Sequence, residues 1–135
     1  MEVDWIATDP QTRRLSYTER RTTAEEYVAR MDALHALGEG NSEVSLADRA
    51  YPRLTVSFRG GYGVVHQFSA EDKVFLLAGD GSIADDQTVL VPVMDDIDDA
   101  EFTGAFVLSA DHAWAAVREF LRHGSVEDLG NWQEL

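Results

Sequence analysis

Cysteine is absent from this chain, lysine occurs once and proline three times. Without cysteine there is no disulfide framework, no thiolate metal site and no thiol nucleophile, and nothing calls for an oxidising compartment. The one lysine, Lys73, joins ten arginines against 25 acidic residues, for a net charge of -14. Phosphate backbones and anionic leaflets are gripped by clustered Lys and Arg, so neither nucleic acid nor a membrane is an expected partner. Long apolar runs are missing too: no stretch comes near the roughly 18 residues that a spanning helix needs. The opening Met1-Glu2-Val3-Asp4-Trp5 lacks the basic and apolar regions of a signal peptide, which makes the cytoplasm the expected location.

What is present is enough for a core. An apolar fraction of 44% and an aromatic fraction of 10% exceed what a disordered chain carries, and 135 residues fit one domain, residues 1–135. Alternation in Val3 to Ala7 and in Arg13 to Tyr17, with Asp9-Pro10 between, predicts an opening β-hairpin. Thr23 and Glu26 have capping-box spacing, and Tyr27, Val28, Met31, Leu34 and Leu37 share one face before Gly38, which predicts a first helix. Residues 38–42 read as a loop. Short β-rich segments follow at Glu43 to Ala47, Arg53 to Arg59, Tyr62 to Ser69, Lys73 to Ala78, Thr88 to Val93 and Glu101 to Leu108, with Gly60-Gly61 as a tight turn. Pro92, which lacks a ladder donor, marks an edge strand. Ser109 caps a second helix with the stripe Ala113, Trp114, Val117, Phe120 and Leu121. The expected fold is α+β: an antiparallel sheet of five to six strands with two main helices packed on it.

The charge is unevenly placed. Residues 1–70 hold 10 acidic and 8 basic side chains, whereas residues 71–104 hold 10 acidic residues against Lys73 alone. Two loops bracket the strand from Thr88, one with Asp85 and Asp86, the other with Asp95, Asp96, Asp98 and Asp99 followed by Glu101. If that strand pairs with the segment from Glu101, the two groups lie at opposite ends of a hairpin. Like charges this dense repel one another, and the cost falls when a cationic surface docks. These seven residues are the candidate partner contacts.

Catalytic readings find little. His35, His112 and His123 have helical positions that explain them, and His66, in a presumed strand, has no HxH or HxxxH partner for a metal. No G-x-S-x-G elbow occurs, and Gly60-Gly61-Tyr62-Gly63 lacks the Lys-Ser/Thr and the following helix of a phosphate loop. The aspartate loops depart from EF-hand order. No enzyme activity and no cofactor are expected. The alternatives are a small metal-binding protein or enzyme using the acidic loops and His66, and a generic interaction module.

The run Ala113-Trp114-Ala115-Ala116-Val117-Arg118-Glu119-Phe120-Leu121-Arg122-His123-Gly124, closed by Asn131-Trp132-Gln133-Glu134, resembles the end of immunity protein family one, whose members protect bacteria against polymorphic toxins. The order of elements is similar too: hairpin, helix, β meander, acidic region, then this helix and a final tryptophan. The resemblance implies an intracellular inhibitor that binds a cognate basic toxin domain, often a nucleic-acid deaminase, and occludes its active cleft. Where the family commonly has Arg-Pro after the helix glycine, this chain has Ser125-Val126-Glu127-Asp128.

Overall fold

A computed structural model of the chain describes residues 1–92 and 99–135. The N-terminal hairpin is β1 (Glu2–Thr8) and β2 (Leu15–Thr23), followed by α1 (Ala24–Ala36). A meander of β3 (Glu39–Leu46), β4 (Arg53–Arg59), β5 (Tyr62–Ala70) and β6 (Lys73–Leu77) comes next, then the hairpin β7 (Thr88–Pro92) and β8 (Asp99–Thr103). The chain closes with β9 (Leu108–Ser109), α2 (Ala110–His123) and β10 (Trp132–Glu134). The main sheet is antiparallel throughout and runs β10-β6-β5-β4-β3-β1-β2, with β9 added to the start of β5. The α+β class is as expected, but the sheet has eight strands rather than five to six. The surplus comes partly from β9 and β10, which at two and three residues are too short to show a period of two.

Both helices start and stop where their residues dictate. Thr23 Oγ1 accepts from the Glu26 amide at 3.1 Å and Ser109 Oγ from the His112 amide at 3.0 Å, each satisfying one orphan donor of the first turn. Gly124 ends α2 at φ 72°, where its N–H reaches the Phe120 carbonyl at 2.7 Å. Tyr27, Met31 and Leu34 of α1 and Ala113, Trp114, Val117, Phe120 and Leu121 of α2 are buried on the same face of the sheet, against Val3, Trp5, Val44, Leu54, Val56 and Phe58. The conspicuous C-terminal letters Phe120, Leu121 and Gly124 therefore serve packing and capping. Trp132 packs against the same core, and its indole N–H donates to the Val126 carbonyl at 2.9 Å.

The span 38–42, expected as a loop, is instead the first half of β3 from Glu39 onward. Glycine is required at 40 because a Cβ there would lie 2.8 Å from the Leu34 side chain, so α1 can cross β3 only over a bare backbone. Ser42 is buried and bonded. Its hydroxyl donates to the Ile6 carbonyl at 2.9 Å, which leaves the Tyr27 hydroxyl to donate to Ser42 Oγ at 2.8 Å. The final segment also differs from expectation: β8 stops at Thr103 because Gly104 is wedged against the Ala84 backbone, where a Cβ would come within 2.2 Å of the carbonyl oxygen. Among the described residues no helix is long and apolar enough to cross a membrane.

Phe120 is fully buried between α2 and the sheet. Phe120→Ala is expected to cost about 3–5 kcal/mol, read in urea denaturation as a lower midpoint at unchanged m-value.

Candidate functional site: an acidic hairpin over a polar sheet face

Opposite the helices, the sheet presents polar side chains. Alternation along β3 and β4 sends Val44, Leu54, Val56 and Phe58 to the helices and Asn41, Glu43, Thr55 and Ser57 to the other side, with Asn41 opposite Ser57 and Glu43 opposite Thr55. All four of these polar residues are buried. Asn41 Nδ2 donates to Ser57 Oγ at 2.7 Å and, at 3.4 Å, to the carbonyl of Pro92 at the end of β7. Arg53 makes an ion pair with Glu43 and another with Glu19 at 3.2 Å.

The β7–β8 hairpin lies on this face, in contact with β3, β4 and β5. Its register pairs Thr88 with Thr103, Val89 with Phe102, Leu90 with Glu101, Val91 with Ala100 and Pro92 with Asp99. Val91 is buried in a second apolar cluster with Val64, Leu76 and Val107, against which Val89 and Phe102 also pack. The alternate positions Thr88, Leu90, Glu101 and Thr103 are exposed. Leu90 stands out among them at 50% exposure directly across from Glu101.

The proposed contact residues divide into groups. Asp85 and Asp86 sit in an exposed turn leading into β7, held by Gln87, whose amide donates to the Ala84 carbonyl at 3.0 Å and whose side-chain oxygen accepts from the Ala84 amide at 3.2 Å. Asp99 lies at the opposite end of the hairpin, four strand steps or about 14 Å away, so the expected split into two ends is present for these residues. Glu101 lies between the ends on the outward face. Asp95, Asp96 and Asp98 lie outside the described residues.

Asp99 is also internally engaged. Arg59, at the end of β4, grips its carboxylate with two parallel bonds of 2.9 and 2.8 Å while its Nε bonds Glu39 at 2.6 Å. The guanidinium hydrogen bond holds the Asp99 carboxyl below the usual carboxylate range. A fork of this kind ties the far end of the hairpin to the main sheet. Asp80, the other engaged acid of the run, anchors the start of α2. Partial burial pushes its carboxyl up, but bonds from the Ser82 hydroxyl and amide, the Ser109 amide at 3.0 Å and His112 Nδ1 at 3.0 Å outweigh that and hold it well below its ordinary value. Glu71 and Asp72 turn between β5 and β6, at the far end of β5 from Arg59.

His66 faces the hairpin from β5, opposite Thr55 on one side and Leu76 on the other, with its ring edge-on to Phe102 at 5.5 Å. Burial pushes its pKa from 6.5 down to about 4. Among the described residues no three His, Asp or Glu side chains converge as metal ligands would. Three contacts escaped the sequence reading: Leu90, the Arg59 fork and the pairing of Asp80 with His112. Compared with known proteins, the chain matches no family model and no curated protein.

Two measurements follow from this geometry. Because His66 takes up its proton at pH 6.5 when unfolded and near 4 when folded, stability rises with pH across that window and falls by roughly 3 kcal/mol on descending through it. The aspartates with lowered values, Asp4, Asp9, Asp80 and Asp99, add their losses only as pH falls from 3.8. In chemical denaturation between pH 7 and 4, His66→Gln is expected to flatten most of the slope; an unchanged slope would place the titration elsewhere. Arg59→Gln is expected to raise amide exchange in β8 by about tenfold or more while β1 and β3 keep their protection.

Proposed function

We propose that the protein is a stoichiometric inhibitor of the immunity type, which docks through the β7–β8 hairpin onto a basic protein domain and covers its working cleft. The observation that carries this reading is the outward face of the hairpin, where exposed Leu90 stands beside Glu101 and is flanked by Asp85-Asp86 at one end and Asp99 at the other. A solvated acidic loop needs no underlying architecture. Here Asp99 and Glu101 are mounted on β8 of a hairpin that buries an apolar underside, Asp99 is forked to the sheet by Arg59, and Asp85-Asp86 lie in the turn that leads into β7. Rigid placement of charge favours recognition, because little conformational entropy remains to be lost on docking.

Charge and apolar contact divide the work. The acidic rim raises the encounter rate with a basic surface and aligns it, while Leu90, once desolvated in a partner's pocket, slows dissociation. The resemblance of the C-terminal run names the class of partner: a toxin domain, with a nucleic-acid deaminase as one form, whose substrate cleft is basic because it grips phosphates. Asp95, Asp96 and Asp98 belong to the same proposed contact set on sequence grounds.

Co-expression with a toxin domain of this class, where one is encoded beside the gene, is expected to restore growth. With the purified pair, Asp85→Asn, Asp86→Asn and Glu101→Gln combined should lower the association rate about tenfold at low salt and flatten its salt dependence, whereas Leu90→Ser should act on the dissociation rate. Undiminished association after neutralisation would remove these three acids from the interface.

A further inference from the structure

The β7–β8 hairpin is a sheet of two strands, so each strand keeps one edge that the other does not pair. Which backbone groups stand on those edges follows from a single hydrogen bond. The Gly104 N–H donates to the Gln87 carbonyl at 2.9 Å, and these two residues face each other when the hairpin register is extended by one step, so they form a bonded pair. Bonded and non-bonded pairs alternate along an antiparallel ladder. Val89 with Phe102 and Val91 with Ala100 are therefore bonded pairs, whereas Thr88 with Thr103, Leu90 with Glu101 and Pro92 with Asp99 are not. In the non-bonded pairs the backbone groups point outward, away from the opposing strand. Pro92 fits this parity: it has no N–H to give, and its carbonyl leaves the hairpin to accept from Asn41 Nδ2 at 3.4 Å.

The free edges of the molecule are unequal. On β7, Pro92 is buried, offers no donor and has its carbonyl engaged. On β2, the outer strand of the main sheet, a bulge interrupts the register between Arg20 and Ser16, and β10 at the other side is three residues long. The β8 edge has none of these defects. Its five residues run without a register shift, and the outward amides and carbonyls of Asp99, Glu101 and Thr103 have no backbone partner among the described residues. The side chains of these three residues are exposed, whereas Ala100 and Phe102 are half-buried, Phe102 against the second apolar cluster. Negative charge is what guards this edge, and it turns away every strand except a basic one.

We infer that β8 takes an extended strand of the partner as a third, antiparallel strand of the hairpin, and that this strand alternates basic with apolar residues. The inference rests on the docking reading above and specifies how that contact is made. Main-chain bonds to Asp99, Glu101 and Thr103 hold the added strand, and alternate side chains select it. Residues opposite Asp99 and Glu101 share the outward face with them, where Lys or Arg pairs with each acid. Residues opposite Ala100 and Phe102 point to the inner face and extend the apolar underside of the hairpin. A second copy of this chain is the wrong occupant on charge: in the antiparallel register that uses all five residues of both β8 strands, the two Glu101 carboxylates stand directly opposite each other, which is destabilising.

The probe is a synthetic peptide, Val-Lys-Val-Arg-Val-Lys-Val with both ends blocked, titrated to millimolar concentration into the full chain and followed by the amide resonances of the protein. Saturable movement and slowed exchange are expected at the Glu101 and Thr103 amides. Two further peptides carry one N-methyl group each, on the central arginine or on the valine after it, and all three have the same charge. Methylation of the arginine removes the bond to the Glu101 carbonyl and should weaken binding about tenfold or more. Methylation of the valine, whose N–H points away from β8, should leave binding unchanged. Equal binding of the three peptides at the hairpin would overturn strand addition and leave docking by the charged face standing. No saturable movement in β8 with the unmodified peptide would overturn it as well, and docking of a whole basic domain is then judged separately, by the exchange footprint of that complex.

Discussion

Burying β4 on both faces is the constraint from which the rest of the molecule follows. Leu54, Val56 and Phe58 meet the helices, so the opposite positions Thr55 and Ser57 must also be covered, and a two-stranded hairpin does it. That covering layer needs an apolar underside, which Val89, Val91 and Phe102 supply, and a tether, which Arg59 supplies from the end of β4 itself. The second cluster is smaller than the first, and its floor is part polar. Asn41, fully buried beneath the end of β7, keeps the hairpin in register through a backbone carbonyl rather than through apolar contact.

This arrangement explains how a chain with so many carboxylates folds at all. Among the described residues the acids of this region are kept where they are solvated, in the turn before β7 and on the outward face of β8, or where a cation or a helix amide meets them, as with Asp99 and Asp80. Arginine does the neutralising: Asp4 is forked by Arg21 at 2.8 and 3.0 Å, Glu43 meets Arg53, and Glu39 shares Arg59 with Asp99. Ionic bonds therefore fasten β1 to β2 and β3 to β4, while apolar contact holds the helices on the sheet.

Much of this was legible in the residues. Thr23, Gly38, Ser109 and Gly124 bounded both helices because capping is local chemistry, and the Gly60-Gly61 turn placed β4 against β5. The first half of β3 was not legible, because Gly40, Asn41 and Ser42 have loop propensities that are overridden by the close approach of Leu34 and by buried hydrogen bonds to residues 15 or more positions away. At the candidate site the positions of the acids could be read, but their engagement could not: Arg59 is 40 residues from Asp99, and His112 is 32 from Asp80. Leu90 was hidden because Val89-Leu90-Val91 is continuously apolar, and such a run does not say which side faces solvent until its pairing with Glu101 is known.

The proposed docking through the β7–β8 hairpin meets its most direct test in amide exchange, comparing the free protein with a complex formed with a basic toxin domain of the proposed class. The account predicts new protection concentrated between Asp85 and Thr103, with α1 and the interior of β4 unchanged. Protection confined to the helices or to β2, with the hairpin exchanging as it does in the free protein, would contradict it.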